Sequence, residues 1–242
     1  MPKRVEPARP GLMAWLALGL YALVLTLATP LYLWRVWSRG QQEPLYRAVW
    51  WQRLGWYDAA YRQQWQARHK GADGQVAGDG PVVWVHAVSL GEARAAAPLV
   101  QALRLHIPGM RLLLTHGTAT GRDAGQALLQ TAQGDMQTWL PYDTPGATRR
   151  FLRQHRPAVG VLMETEVWPV LQREARVAGV PMVLANARLS DKSLRQGQRL
   201  AWLMRPAVQR MALVLAQTPE DAQRVLRMKH ADATVADDKV AV

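Results

Sequence analysis

The sequence of 242 residues contains no cysteine. This absence excludes disulfide bonds and thiolate metal sites, and it fits a reducing compartment. The six histidines show no spacing typical of metal ligands, so the sequence predicts no protein-bound metal. No cofactor is predicted either. His86 and His116 fall at the ends of predicted strands, where packing is a commoner role for histidine than ligation.

Acidic residues are scarce, with 18 Asp and Glu against 30 Lys and Arg, which gives a net charge of +12. The chain is nevertheless 49% apolar, which is typical of a folded protein. A folded protein of this charge is expected to meet an anionic partner, which is nucleic acid, an anionic membrane or an acidic substrate. The sequence has no helix-turn-helix, zinc-finger or RNP pattern, and this disfavours nucleic acid.

Charge is missing altogether from Gly11 to Trp34, and the apolar run from Leu12 to Thr29 approaches the length of about 20 residues that spans a bilayer. A buried core helix is one alternative, although soluble helices keep a polar face and this run has none. A cleaved signal peptide is another, although no clear cleavage site follows. We predict that residues 1–34 form an N-terminal membrane anchor that crosses the bilayer once.

Residues 35–70 mix arginine with tryptophan and tyrosine, a composition that suits a segment lying along an anionic membrane face. A stretch rich in Gly and Asp follows at Gly71–Pro81 and indicates a linker. Residues 35–81 are therefore predicted to be a basic aromatic juxtamembrane segment and linker. Basic residues lie on both sides of the apolar run, so the positive-inside rule only weakly favours a cytoplasmic location for the residues that follow it.

From residue 82 to residue 228, short apolar runs alternate with stretches of helical character. This alternation predicts an α/β fold with a Rossmann-like parallel sheet and helices on both faces. The predicted strands are Val82–Val88, Arg111–Thr115, Gln137–Leu140, Ala158–Met163, Pro181–Ala185 and Ala212–Ala216. The predicted helices are Ala93–Leu105, one capped by Asp143 that runs to His155, and one capped by Ser190.

Ligands of open α/β sheets bind outside the carboxyl ends of the strands, and polar residues follow several predicted strands. Ser89 and Glu92 have the spacing of a capping box, which usually has no catalytic role. The same Glu92 could instead face the crevice and accept a proton, with Gly91 allowing close approach of a substrate. Both interpretations remain open at this point.

Two further strand ends carry charge. After the fourth strand, Glu164 is the nearer to the strand end and is expected to point into the crevice, whereas Glu166 fits a role in capping the next helix. After the fifth strand, Arg188 could pair with a crevice carboxylate or bind a substrate phosphate. The small-residue turn Thr115–Gly121 could hold an anion through its backbone amides or could be a plain tight turn.

Six segments carry a family resemblance, and they are HAVSLGEARAAAPLVQAL, LLLTHGTATG, LPYDTPGATRRFL, RPAVGVLMETEVWP, GVPMVLANARLS and LAQTPEDAQR. In this order they resemble the 3-deoxy-D-manno-octulosonic acid (Kdo) transferases of lipopolysaccharide assembly, which are inner-membrane enzymes with the two-domain GT-B glycosyltransferase fold. The resemblance runs from about Leu31 to Arg224. It implies that residues 82–228 are the acceptor-binding, N-terminal half of such a fold.

The resemblance implies transfer of Kdo from CMP-Kdo to a hydroxyl of a lipid A precursor, with inversion and without a metal. It implies that Glu92 is the proton acceptor and that Glu164 stabilises the transition state. Ser89 and Arg188 are candidate substrate contacts because of their own positions after predicted strands. The catalytic domain is expected on the cytoplasmic side of the bacterial inner membrane.

The resemblance is incomplete because family members continue into a second Rossmann-like domain that binds CMP-Kdo. Residues 229–242 are predicted to be a divergent tail, and Lys239 is too poorly placed to take the family's catalytic lysine role. We therefore expect the 242-residue chain to be inactive alone. Two alternatives are another lipid-linked glycosyltransferase and a non-enzymatic membrane module that binds anionic lipid through residues 35–70.

Overall fold

The computed structural model describes residues 11–67, 80–230 and 237–242. Most of the predicted linker, residues 71–79, lies outside the described residues, as do Lys3, Arg4 and Arg9 at the start of the chain.

Helix α1 (Leu12–Arg39) contains the whole apolar run and continues past residue 34 to Gly40, whose N–H donates to the carbonyl of Val36. Its length and composition would allow it to cross a membrane. One side of α1 nevertheless lies against the folded domain. Buried or half-buried residues recur along that side every three or four positions, at Ala14, Leu18, Tyr21, Ala22, Leu25, Thr29, Leu33 and Val36.

The contacts of α1 fall along much of its length. Leu18 packs with Val170 and Leu203, and the ring of Tyr32 lies 5.9 Å from the ring of Tyr142. The opposite side of the helix is apolar and exposed, and it includes Leu12, Leu16, Leu20, Leu23, Leu27 and Leu31.

The basic aromatic segment forms two short 3-10 helices, Pro44–Tyr46 and Trp50–Leu54, and helix α2 (Ala59–Ala67). Tyr57 and Trp65 belong to the same buried cluster as the sheet residue Trp84, and Tyr46 stacks on Trp139 with 5.9 Å between ring centroids. These aromatic rings are therefore buried in the domain rather than spread along a membrane face. Burial of a large aromatic ring removes much apolar surface from water and so stabilises the fold.

Seven parallel strands form one sheet in the order β3-β2-β1-β4-β5-β6-β7. The strands are β1 (Val82–His86), β2 (Arg111–His116), β3 (Met136–Trp139), β4 (Val159–Met163), β5 (Met182–Ala187), β6 (Leu213–Ala216) and β7 (Val240–Ala241). The first six confirm the predicted strands to within two residues at each end. The seventh comes from the predicted divergent tail and pairs with β6.

Helices cover both faces of the sheet, as predicted. They are α3 (Leu90–His106), α4 (Ala119–Gly125), α5 (Pro145–His155), α6 (Pro169–Val177), α7 (Asp191–Arg199), α8 (Ala201–Gln209) and α9 (Pro219–Lys229). One core cluster joins the sheet to α5, α6, α8 and α9, and a second joins it to α3. Trp84 and Phe151 are fully buried in the first cluster, with 4.8 Å between their rings.

The cap of α5 differs from the prediction. Thr144 is the N-cap residue, and Asp143 accepts hydrogen bonds from the N–H groups of Val170 (3.1 Å) and Leu171 (2.7 Å) instead. The carboxylate thus caps α6, a helix that begins 26 residues later, because its oxygens satisfy amides that have no partner within that helix. The predicted cap of α7 is confirmed, since the Ser190 hydroxyl accepts from the N–H of Ser193 at 3.1 Å.

Candidate active site

The order in which the chain adds strands to the sheet reverses between β1 and β4. The chain proceeds from β1 through β2 to β3 on one side, and β4 then starts the other side of the sheet. In open α/β sheets such a switch point opens a crevice at the carboxyl ends of the two strands. Ser89 and Glu92 follow β1, and Glu164 follows β4, so the sheet order brings the candidate carboxylates to the same crevice.

The capping box is confirmed. The Ser89 hydroxyl accepts a hydrogen bond from the N–H of Glu92 at 3.4 Å. The Glu92 carboxylate in turn accepts from the N–H of Val88 at 2.9 Å and from the Ser89 hydroxyl at 3.2 Å. These bonds fix the carboxylate over the start of α3, at the edge where a crevice ligand would bind.

The turn after β2 supports this loop. The carbonyl of Val88 accepts hydrogen bonds from the N–H of Gly117 (3.2 Å), and from the N–H (3.0 Å) and hydroxyl (2.9 Å) of Thr118. A Cβ at Gly121 would lie 2.6 Å from the same carbonyl oxygen, so only glycine permits this approach. The amides of Gly117 and Thr118 thus bind a carbonyl, which favours the tight-turn interpretation.

Glu164 adopts a left-handed backbone conformation, with φ at +59°, while its N–H continues the sheet ladder to the carbonyl of Ala185 at 2.9 Å. Asn186, at the end of the neighbouring strand, also has a positive φ, at +54°. Conformations of this kind cost about 1–3 kcal/mol for residues other than glycine and cluster at functional sites. The strain thus marks the ends of β4 and β5.

Three carboxylates influence one another here. Burial raises the pKa of Glu92, with a further contribution from Glu164, and the hydrogen bonds from Val88 and Ser89 oppose the rise. Burial and the neighbouring Glu92 raise the pKa of Glu166 to about 7. The predicted capping role of Glu166 is wrong because Asp143 caps α6. Sequence reasoning thus missed Glu166 as a member of the carboxylate group.

Arg188 is exposed and lines a cavity of about 330 Å³ together with Glu164 and Ser193. Most of the remaining lining is apolar, and part of it comes from α7, α8 and α9. Among the described residues, neither Ser89 nor Glu92 lines this cavity. Glu164 therefore interacts with two sets of residues. Its charge acts on Glu92, and its side chain lines the same cavity as Arg188.

The two strand-end histidines are packing residues, as predicted. His86 is fully buried, and burial lowers its pKa to about 3, while its Nδ1 lies 2.9 Å from the Thr115 hydroxyl. Burial likewise lowers the pKa of His116 to about 4. Within residues 11–67, 80–230 and 237–242, no group of three or more His, Asp and Glu is placed to hold a metal ion. The absence of a metal or cofactor from the working protein stays a prediction.

Comparisons with known proteins agree with the resemblance. The family model described as 3-deoxy-D-manno-octulosonic-acid transferase (kdotransferase) matches residues 48–238, and so extends into the tail that was predicted to diverge. The 3-deoxy-D-manno-octulosonic acid transferase of Bordetella pertussis is 57% identical over 146 residues, which cover 59% of this chain and 34% of that protein. The corresponding protein of Haemophilus influenzae is 33% identical over 137 residues, which cover 56% and 31%.

Among solved structures, UDP-GlcNAc 2-epimerase from Neisseria meningitidis, bound to UDP-GlcNAc, aligns with 66% of this chain and 46% of its own, at 15% identity and a TM-score of 0.46. The matched region spans about a third of the length of the curated transferases. Since the family model covers most of the chain, the protein belongs to the 3-deoxy-D-manno-octulosonic acid transferase family.

Proposed function

We propose that this domain takes part in transferring Kdo from CMP-Kdo to a lipid A precursor, in lipopolysaccharide core biosynthesis and with inversion at the anomeric carbon. The observation that supports the proposal most is the meeting of Glu92 and Glu164 at the switch point of a sheet in a Kdo transferase family member. Two carboxylates at that position can serve a reaction in which a hydroxyl must lose a proton.

In the proposed step, the acceptor hydroxyl oxygen bonds to the anomeric carbon of Kdo while the bond from that carbon to CMP breaks. The hydroxyl proton passes to the Glu92 carboxylate, and CMP leaves with the bonding electrons. Each carboxylate oxygen has two lone pairs, so Glu92 can accept this proton while it keeps its bonds to Val88 and Ser89. Its raised pKa makes it a stronger base than an exposed glutamate.

The other candidate residues take supporting roles in this proposal. Glu164 stabilises charge that develops at the sugar in the transition state. Ser89 orients Glu92 through its hydroxyl and contacts the acceptor. Arg188 offers a fixed positive charge to a substrate phosphate at the mouth of the neighbouring cavity. No cofactor or metal is invoked.

The donor needs a site of its own. Because the chain spans about a third of its curated relatives, we propose that CMP-Kdo binds to a further domain and that these 242 residues supply the acceptor side. On this proposal the 242-residue chain has no transfer activity alone.

We further propose that α1, in a state in which it has left its contacts with Val170 and Leu203, attaches the protein to the bacterial inner membrane as a single-pass anchor, with the folded domain in the cytoplasm. A net charge of +12 then attracts the domain to anionic lipids and to a phosphorylated acceptor rather than to nucleic acid. The alternative of an independent lipid-binding module at residues 35–70 is disfavoured, because Tyr57 and Trp65 of that segment are part of the domain core.

The test joins this domain to the remaining part of a family member and measures Kdo transfer from CMP-Kdo to a lipid A precursor. We expect transfer by the joined protein and none by the 242-residue chain. Robust turnover by the short chain would refute the need for a separate donor domain. Transfer of a different sugar, with none from CMP-Kdo, would instead favour another lipid-linked glycosyltransferase.

A further inference from the structure

Two arginines pack against one tryptophan at the carboxyl end of β3. The guanidinium carbon of Arg53 lies 4.0 Å from the centroid of the Trp139 ring, and that of Arg122 lies 4.9 Å from it. Trp139 is fully buried, and its indole N–H donates to the carbonyl of Ala48 at 3.0 Å. The two positive charges are thus brought together in a site with little access to water.

Neither charge has an anionic partner among the described residues. In the part of the chain that the structure describes, neither Arg53 nor Arg122 forms an ion pair. Arg53 is only 5% exposed and donates one hydrogen bond to the carbonyl of Gly117, at 3.2 Å. The Nε of Arg53 and one terminal nitrogen of Arg122 are buried, and residues 11–67, 80–230 and 237–242 offer them no hydrogen-bond acceptor.

Tyr142 is next to Arg53 and supplies a further donor. Its backbone N–H donates to the carbonyl of Arg53 at 2.8 Å, and among the described residues its buried hydroxyl has no hydrogen-bond partner. Burial raises the pKa of this phenol, and the charge of nearby Arg53 opposes the rise. Burial also lowers the pKa of Arg53 to about 10, with a smaller contribution from Arg122.

Two buried arginines without a counter-charge are costly. Contact of a cation with an aromatic face offsets only part of the cost of burying an unpaired charge. A dianion with several acceptor oxygens would satisfy the free N–H groups and the hydroxyl together. Arginine is the side chain best suited to hold such an oxyanion, because its planar fork donates two parallel hydrogen bonds to phosphate.

We propose that Arg53, Arg122 and Tyr142 form a binding site for a phosphate monoester. Arg122 is only half-buried, and Arg53 donates to the carbonyl of Gly117, in the turn that supports the Ser89 loop. Its natural ligand is a phosphate of the lipid acceptor, and this assignment of the ligand rests on the proposed function. Tyr142 also touches Tyr32 of α1, which brings the site next to the helix that meets the membrane.

The first test uses inorganic phosphate as the probe and the detergent-purified 242-residue chain. We expect phosphate to raise the Tm in a saturable way, beyond chloride at equal ionic strength. Arg122→Gln should weaken the phosphate Kd by about tenfold or more, since one charged hydrogen-bonding group is lost. The matched control Arg94→Gln removes an exposed positive charge from α3 and should leave the Kd nearly unchanged.

Two results would overturn the site. One is a Tm that phosphate raises no more than chloride does. The other is equal weakening by Arg122→Gln and Arg94→Gln, which would mean that only the overall charge matters. Tyr142→Phe gives an independent check because it keeps the ring and removes the buried hydroxyl, and it should also weaken binding. None of these readouts involves Kdo transfer, so a failure of the proposed function is distinguishable from a failure of the site.

The second test separates a lipid phosphate from a soluble one. Vesicles containing phosphatidic acid, a phosphate monoester, are compared with phosphatidylglycerol vesicles of equal surface charge. We expect tighter binding to phosphatidic acid, and we expect Arg122→Gln to remove that preference. Equal binding to both vesicles, in a chain that still binds inorganic phosphate, would overturn the lipid assignment and point to a soluble phosphorylated ligand.

Discussion

Ser89 and Glu92 hold each other in place at the start of α3. The Ser89 hydroxyl accepts from the N–H of Glu92 and donates to its carboxylate, which also accepts from the N–H of Val88. One side chain therefore both secures the helix and presents a carboxylate to the crevice. Mutations can separate the two roles, because capping acts on stability and proton transfer acts on rate.

Glu92→Gln, made in a protein extended by the donor domain, should lower the rate of Kdo transfer about 100-fold or more because the amide cannot accept the acceptor's proton. Ser89→Ala is the variant to compare, because Ser89 orients the carboxylate but does not accept the proton. It removes the cap and should cost about 1 kcal/mol in the free energy of unfolding, with a much smaller loss of rate. Turnover that survives in Glu92→Gln would reduce Glu92 to a capping residue.

Glu164→Gly should relieve the left-handed strain at φ +59° and raise the stability by up to about 1 kcal/mol, while the rate of transfer falls. Arg156→Gly is the control. Arg156 is exposed, has φ at +43° and lies between α5 and β4, at the amino ends of the strands and away from the crevice. Its stability should rise similarly and its rate should not change. If Glu164→Gly kept its full rate, the carboxylate would have no part in the reaction.

Glu166 predicts a pH dependence of stability. Its folded pKa, about 7, lies above the ordinary value of 4.5, so between these values the folded state holds a proton that the unfolded state has lost. Its contribution to stability is present below about pH 4.5 and is lost as the pH rises through 7. Glu166→Gln should therefore be more stable than the parent at pH 8, by on the order of 1 kcal/mol, and close to it at pH 4.5.

Chemical unfolding at the two pH values measures this difference. Asp143 has a pKa raised to about 6 by burial and contributes a loss of the same sign, but it is common to both proteins and cancels in the comparison. A difference in stability between the two proteins that does not change with pH would contradict the raised pKa of Glu166.

Asp143→Ala should lower the free energy of unfolding by about 2–4 kcal/mol, because it leaves two buried amides, those of Val170 and Leu171, without an acceptor. Asp123→Ala, which removes an exposed carboxylate from α4, should change stability by no more than about 0.5 kcal/mol. Thermal and chemical unfolding give both values. Equal effects of the two substitutions would show that Asp143 does not cap α6.

A pair of glycine substitutions tests the loop that carries Ser89. Gly121→Ala would place a Cβ 2.6 Å from the Val88 carbonyl oxygen, and it should destabilise the protein by about 1–3 kcal/mol. At Gly91 a Cβ would meet nothing closer than the Ser89 hydroxyl, at 3.9 Å, so Gly91→Ala should leave stability unchanged or improve it. A loss of transfer in a stable Gly91→Ala protein would then report the close approach of the substrate to this turn. Equal destabilisation by both substitutions would contradict the described packing.

The strands and the carboxylate pair were predictable because their signals are local. Apolar runs such as Val82–His86 are long enough to mark buried parallel strands. The three-residue spacing of Ser89 and Glu92 is by itself the signature of a capping box. The crevice position of Glu92 and Glu164 then follows from the general rule for open sheets. Their catalytic roles stay predictions.

The errors concern contacts between segments distant in sequence. Asp143 has a local helix available to cap, yet it serves α6, and no sequence pattern names that partner. Glu166 precedes α6 in the sequence, at a position where a cap is expected. In the structure it lies near enough to Glu92 for the two charges to interact, after a left-handed turn at Glu164. The pairing of Arg53 with Arg122 joins residues on opposite sides of the predicted linker, so only tertiary structure brings them to one ring.

The inward side of α1 runs from Ala14 to Val36, a distance of about 33 Å at 1.5 Å per residue. Leu18 and Tyr21, in the middle of the apolar run, are part of that side, so the segment that would fill a bilayer is the segment that rests on the domain. A helix in this position cannot cross a membrane and keep these contacts. If α1 crossed the bilayer, Val170 and Leu203 would be exposed to solvent. While α1 packs on the domain, its inward side cannot contact lipid. Resting on the domain and crossing the bilayer are therefore mutually exclusive states of one helix.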